Sequence, residues 1–113
     1  MQGESDGTIE TTALKYEENL TKLIGLIRTA FHDKKMPVAI GRISDSKKSR
    51  QGNVWEYGDI IRNAQADFVK KDGRAALVTS TDNYSYSDTW HYDSAGYIDL
   101  GNKFAEALFS ISR

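Results

Sequence analysis

The chain has 113 residues, enough for one domain with a modest core. Fifteen Lys and Arg against sixteen Asp and Glu leave a net charge of −1, so nothing in the bulk charge draws the protein to nucleic acid or to an anionic membrane. The absence of cysteine excludes disulfides, thiolate nucleophiles and cysteine metal sites, and no apolar run approaches the roughly 20 residues of a membrane span.

The first residues, Met1-Gln2-Gly3-Glu4-Ser5-Asp6-Gly7, are polar and acidic, unlike a signal peptide, and leave the compartment unread. Over 10–32, Leu14, Tyr16, Leu20, Leu23, Ile24, Ile27, Ala30 and Phe31 recur largely at helical spacing and predict one helix. Thr8, Thr11 or Thr12 is a candidate cap, and Met36-Pro37 should end the helix. Residues 38–43 read as a short buried strand. The next stretch, 44–53, carries three cations and three serines and reads as a solvated loop. A second helix is predicted over 54–71, burying Trp55, Ile60, Ile61, Ala64 and Phe68, with Asp72-Gly73 as its stop. A second strand follows over 75–79, then a polar, aromatic loop over 80–92. The last helix, 94–112, is opened by Asp93 or Ser94 and should bury Tyr97, Leu100, Phe104, Leu108 and Ile111.

This order, about three helices and two strands, predicts an α/β fold with a parallel pair of strands joined by a right-handed crossover. Functional groups in such sheets gather beyond the carboxyl ends of the strands. Two parallel strands leave both sheet edges open, so residues 1–113 are expected to be the C-terminal part of a larger α/β domain, able to self-associate through those edges.

Asp88-Thr89-Trp90-His91 lies after the second strand and ahead of the last helix. A carboxylate three residues before an imidazole on such a loop can hold one ring nitrogen and leave the other aimed at a substrate, the base half of a Ser-His-Asp hydrolase. The bland reading is a surface histidine beside a turn-forming aspartate. His32, followed by Asp33-Lys34-Lys35, reads as a helix C-terminal residue favoured by the dipole. Two distant histidines without cysteines make a poor zinc site, and no metal or cofactor is expected. Gly3-Glu4-Ser5-Asp6-Gly7 matches the letters of the G-x-S-x-G nucleophile elbow, but only Met1 and Gln2 stand where that motif requires a strand. Tyr84, Tyr86, Trp90 and Tyr92 alternate with polar residues. They read either as rings packed on the domain or as a sugar-binding rim. The cluster Lys47-Lys48-Ser49-Arg50 reads as a solvated loop rather than a nucleic-acid site.

Several of these pieces assemble into a known pattern. Gln2-Gly3-Glu4-Ser5-Asp6 resembles the QGE-S/N-D block of the sialate O-acetylesterase and acetylxylan esterase group of the SGNH-hydrolase superfamily. Asp88-Thr89-Trp90-His91, with Ser94-Ala95-Gly96-Tyr97 and Leu100-Gly101 after it, is similar to that group's D-x-x-H block, and Ile61-Arg62-Asn63-Ala64-Gln65 to its I-R-x-A-Q segment. The resemblance implies a three-layer α/β/α fold and hydrolysis of acetyl esters on carbohydrates. It makes His91 the general base and then acid, with Asp88 orienting it. It places Gln2, Gly3 and Ser5 on the oxyanion and substrate-positioning side, and Tyr86 and Trp90 on the substrate rim. The family's G-Q-S-N-like block, which carries the nucleophilic serine, has no counterpart in residues 1–113, so that serine is expected from an N-terminal part of the domain. The competing expectations are a self-contained hydrolase using Ser5 and a non-catalytic module that binds a glycan or protein through the aromatic loop 84–92.

Overall fold

A computed structural model describes residues 1–112; Arg113, the last residue of the predicted domain, lies outside the described residues. The order of regular elements is α1 (Glu10–Leu14), α2 (Tyr16–Ala30), β1 (Val38–Gly41), α3 (Gly58–Asp72), β2 (Ala75–Val78) and α4 (Ser94–Ile111), with short 3-10 turns at Ser5–Thr8 and Ser80–Asn83. The two strands pair in parallel, Val38 opposite Ala75 through Gly41 opposite Val78. The α/β character and the parallel pair agree with the sequence.

Side chains alternate across the two faces of the strands. Val38, Ile40 and Ala75 pack into a core with Ala13, Tyr16, Leu20, Ile24, Ile61, Ala64 and Phe68 from α1, α2 and α3. Val78 packs on the opposite face with Leu100, Phe104 and Ala107 of α4 and with Tyr84, Tyr86 and Tyr92. The sheet therefore lies between two helical layers. Gly41 is the point of closest approach: a Cβ there would sit 2.8 Å from the Phe104 ring and 3.2 Å from Met1 Cβ. Met1 thus enters directly beside the carboxyl end of β1.

The single helix expected over 10–32 is broken at Lys15, whose N–H bonds to Thr12 O at 3.2 Å. The break changes which residues face inward. Ala13 and Tyr16 are buried, whereas Leu14 is 66 % exposed. Leu23, Ile27 and Phe31 are also exposed, because the helix turns only the Leu20 and Ile24 line onto α3. None of the threonines caps α1. Its N-cap is Ile9 without a side-chain bond, and the Thr8 and Thr12 hydroxyls donate to the carbonyls of Ser5, Asp6 and Ile9. The chain leaves α2 before Pro37, at His32, whose left-handed φ of 53° fills the role glycine usually takes after a helix.

The second helix starts at Gly58 rather than at 54, since the N–H groups of Val54 and Trp55 are taken by the Asp45 carboxylate. Asp93 caps α4, its side chain accepting from Gly96 N–H at 2.8 Å. Leu100 is buried as expected, but Tyr97 is 47 % exposed and Leu108 also faces solvent. Among the described residues, no helix is long and apolar enough to cross a membrane.

Candidate active site

The site grows from the loop between β2 and α4. Tyr86 and Tyr92 form an isolated antiparallel bridge, so residues 87–91 project as a closed tip. Ser87 N–H donates to His91 O at 2.9 Å and Asp93 N–H to Ser85 O at 3.0 Å, which fixes both ends of that tip. Inside it, Asp88 Oδ1 accepts the N–H groups of Trp90 and His91, each at 2.7 Å. Asp88 Oδ2 lies 2.8 Å from His91 Nδ1. The His91 ring hydrogen bond, with the two backbone N–H groups, holds the Asp88 carboxyl down to about 2. At neutral pH the carboxylate can only accept, so a neutral His91 ring carries its proton on Nδ1 and presents the Nε2 lone pair as a base. The His91 side chain is 64 % exposed, leaving that edge open to a reactant.

Behind the tip stands a hydroxyl cluster that the sequence reading did not assign. Ser44 Oγ, just beyond β1, lies 2.5 Å from Tyr86 OH and 2.8 Å from Tyr92 OH. Burial pushes both tyrosine hydroxyls up from their ordinary range, Tyr92 most of all. Ser46 Oγ donates to Thr89 O at 2.7 Å and Lys48 Nζ to Tyr86 O at 3.3 Å. The loop after β1 therefore braces the loop after β2. Tyr86 packs tilted against Tyr92 at 5.0 Å between ring centroids, whereas Trp90 is 58 % exposed at the tip. Of the rings weighed from sequence, Tyr84, Tyr86 and Tyr92 pack on the domain and Trp90 faces solvent.

The Gln2–Asp6 block lies at the same end of the sheet. Gly3 is buried at φ 131°, and a Cβ there would come within 2.8 Å of Ile61 Cγ2, so glycine is required both by conformation and by space. Gln2 Nε2 donates to Asp6 Oδ2 at 2.7 Å, and the Gln2 carbonyl accepts from Tyr16 OH at 2.9 Å. The I-R-x-A-Q segment acts as a clamp on this block. Buried Gln65 accepts from Ile43 N–H at 3.0 Å and donates to Gln2 O at 3.0 Å, with Gly41 O 3.3 Å from the same nitrogen. Arg62 donates to Ile43 O and, at 3.0 Å, to Asp82, which also pairs with Arg42. Burial pushes the Asp82 carboxyl up, but Arg62 and Arg42 together pull it below its ordinary value.

Asp88 and His91 are thus brought into contact as expected. Ser5 is exposed, and among the described residues no hydroxyl is hydrogen-bonded to the His91 ring; Asp88 is its partner. Among the described residues, no group of three or more His, Asp or Glu side chains is placed to hold a metal ion.

The aspartate–histidine pair therefore stands on the loop that follows the carboxyl end of β2 in an α/β framework. Residues 1–110 match the family of carbohydrate esterases described as sialic acid-specific acetylesterases, and the chain belongs to that family. Comparison with curated proteins and with solved structures gives no significant match.

Proposed function

We propose that the chain supplies the acid–base half of a carbohydrate O-acetylesterase working by a Ser-His-Asp mechanism, the serine coming from a segment outside residues 1–113. His91 Nε2 takes the proton from that serine as it attacks the acetyl carbonyl, then returns it to the departing sugar hydroxyl. Asp88 holds the ring and stabilises the imidazolium. Gln2, Gly3 and Ser5 flank the oxyanion side, where a donor stabilises the tetrahedral intermediate. Trp90 and Tyr86 form the rim that meets the sugar.

The observation that carries this reading is the 2.8 Å contact of Asp88 Oδ2 with His91 Nδ1 on a loop fixed by both backbone N–H bonds to Asp88 Oδ1. The placement of the serine outside the chain is supported by the exposed His91 ring and by exposed apolar side chains on and just after α2. Leu23 (48 % exposed), Leu26 (69 %) and Phe31 (70 %) are of this kind. They offer a surface on which a further part of the domain packs.

A fluorophosphonate probe with mass mapping tests the assignment. The folded 113-residue chain acquires no serine adduct, whereas the same chain joined to its serine-bearing segment does, and His91→Ala removes that adduct. An adduct on Ser5 of the chain alone, lost in His91→Ala, would instead mean a self-contained hydrolase.

A further inference from the structure

We propose that Ser44 is a positioning residue for the Asp88–His91 pair, its hydroxyl setting the aim of the tip through Tyr86 and Tyr92. The inference rests on the proposed function for the chemistry of the pair, and on the hydroxyl cluster for where the pair points.

Two separate sets of bonds act on the tip. The Asp88 carboxylate oxygens meet Trp90 N–H, His91 N–H and the His91 ring, so they fix the pair within its own turn. None of these bonds reaches another element. The side chains of Asp88, Trp90 and His91 are exposed, so packing at the tip does little to orient it. The aim must come from the arms. Those arms are Tyr86 and Tyr92, which form the bridge at the base of the tip. Their hydroxyls meet on one atom, Ser44 Oγ, at 2.5 and 2.8 Å. Ser46 Oγ adds a bond to Thr89 O at 2.7 Å, so one short segment holds the tip at three points.

Ser44 is suited to this by what stands on either side of it. Ile43 is tied to α3 by Gln65, which accepts from its N–H, and by Arg62, which donates to its carbonyl. The Asp45 carboxylate accepts from Val54 N–H at 2.9 Å and Trp55 N–H at 2.8 Å. Ser44 is therefore a short side chain on fixed backbone. A serine hydroxyl has one proton, so at least one tyrosine donates to it, and alanine would deprive both phenols of the partner they share. Burial pushes both phenols above their ordinary range, which keeps them protonated where an imidazole titrates. The anchor thus holds in either charge state of His91. A misplacement of about 1 Å costs roughly 10²-fold in rate, so the aim of His91 Nε2 bears directly on turnover.

Backbone residual dipolar couplings of the 113-residue chain read that aim. In the native chain the N–H couplings of 87–91 fit one alignment with those of β1, β2, α3 and α4. In Ser44→Ala they leave that alignment while the strands and helices keep it, and the Asp88 carboxyl still titrates at about 2 because the pair itself is intact. Ser44→Thr, which keeps a hydroxyl, restores the fit. Tip couplings unmoved in Ser44→Ala would overturn the proposal. So would strands and helices that lose alignment together with the tip, since Ser44 would then hold the fold rather than aim the pair. Turnover by the chain joined to its serine-bearing segment gives the second readout. There kcat falls by about 10–10² in Ser44→Ala with KM near the native value, and adding Tyr92→Phe lowers it little further because both changes remove the same bond. An unchanged kcat in Ser44→Ala beside an inactive His91→Ala would sink the positioning role and leave the pair standing. An unchanged kcat in both would sink the proposed function and this role with it.

Discussion

Asp88 does two jobs with one carboxylate, and the division of its oxygens explains why the tip needs aspartate. Oδ1 builds the turn by accepting two backbone N–H groups, and Oδ2 holds the ring. The carboxyl is held near 2 mainly by the His91 ring, so carbon-detected NMR should show it titrating at about 2 in the native chain and moving up toward 3.8 in His91→Ala. An unchanged midpoint in the variant would mean the ring is not its partner in solution. This pair was legible in the sequence because it is local: three residues separate the partners, and the turn that joins them is made by one of them. Ser44 was not legible, because its tyrosines lie 42 and 48 residues away and an isolated serine after a strand carries no pattern. Its place beyond the carboxyl end of β1 was the one available signal.

At the scale of elements, the strands were readable as short apolar runs covered on both faces, and α3 and α4 by apolar residues at helical spacing. The first helix was misread because apolar residues continue around more of its circumference than the domain covers. Leu14, Leu23, Ile27 and Phe31 satisfy the helical spacing but meet no core, and the break at Lys15 has no sequence marker such as proline or glycine. What ties the elements together is polar. Gln65 is 0 % exposed and joins α3 to β1 and to the Gln2–Asp6 block. Gln65→Leu keeps the volume but strands the Ile43 N–H, and should lower unfolding stability by about 2–3 kcal/mol in denaturant titration.

Arg28 of α2 forms a two-pronged pair with Asp72 of α3, at 2.6 and 2.9 Å, and also donates to Met36 O. The Arg28 hydrogen bond holds the Asp72 carboxyl below its ordinary value. A carboxyl lowered on folding stabilises the native state above its unfolded value and loses that contribution as pH falls through the folded one. Arg28→Ala should therefore cost about 2 kcal/mol at neutral pH, with the gap to the native chain narrowing below about pH 4. Thermal melts across that range check the prediction; a gap independent of pH would assign the effect to lost packing alone.

Across the whole molecule, two loops beyond the same end of the sheet meet. One follows β1 and the other carries the Asp88–His91 pair, and Ser44 and Ser46 fasten them together. The Gln2–Asp6 block joins that end through Gln65, so the segments that resemble the family's blocks converge although 85 positions separate Gly3 from Asp88. Sequence order alone could place the blocks on their elements, but not disclose that Arg62 and Gln65 serve as the braces beneath them. The exposed Leu23 and Leu26 of α2 belong to this scale as well, and under the proposed function they are the surface on which the serine-bearing segment would pack.

The decisive measurement is turnover of an O-acetylated sugar by the chain joined to its serine-bearing segment, with His91→Ala and Asp88→Asn compared against it under conditions where circular dichroism shows all three folded. The dyad assignment predicts that kcat falls by about 10³–10⁴ in each variant, as expected when a triad member is removed or the wrong tautomer is imposed. Turnover left unchanged by His91→Ala would contradict it and place the acid–base chemistry elsewhere.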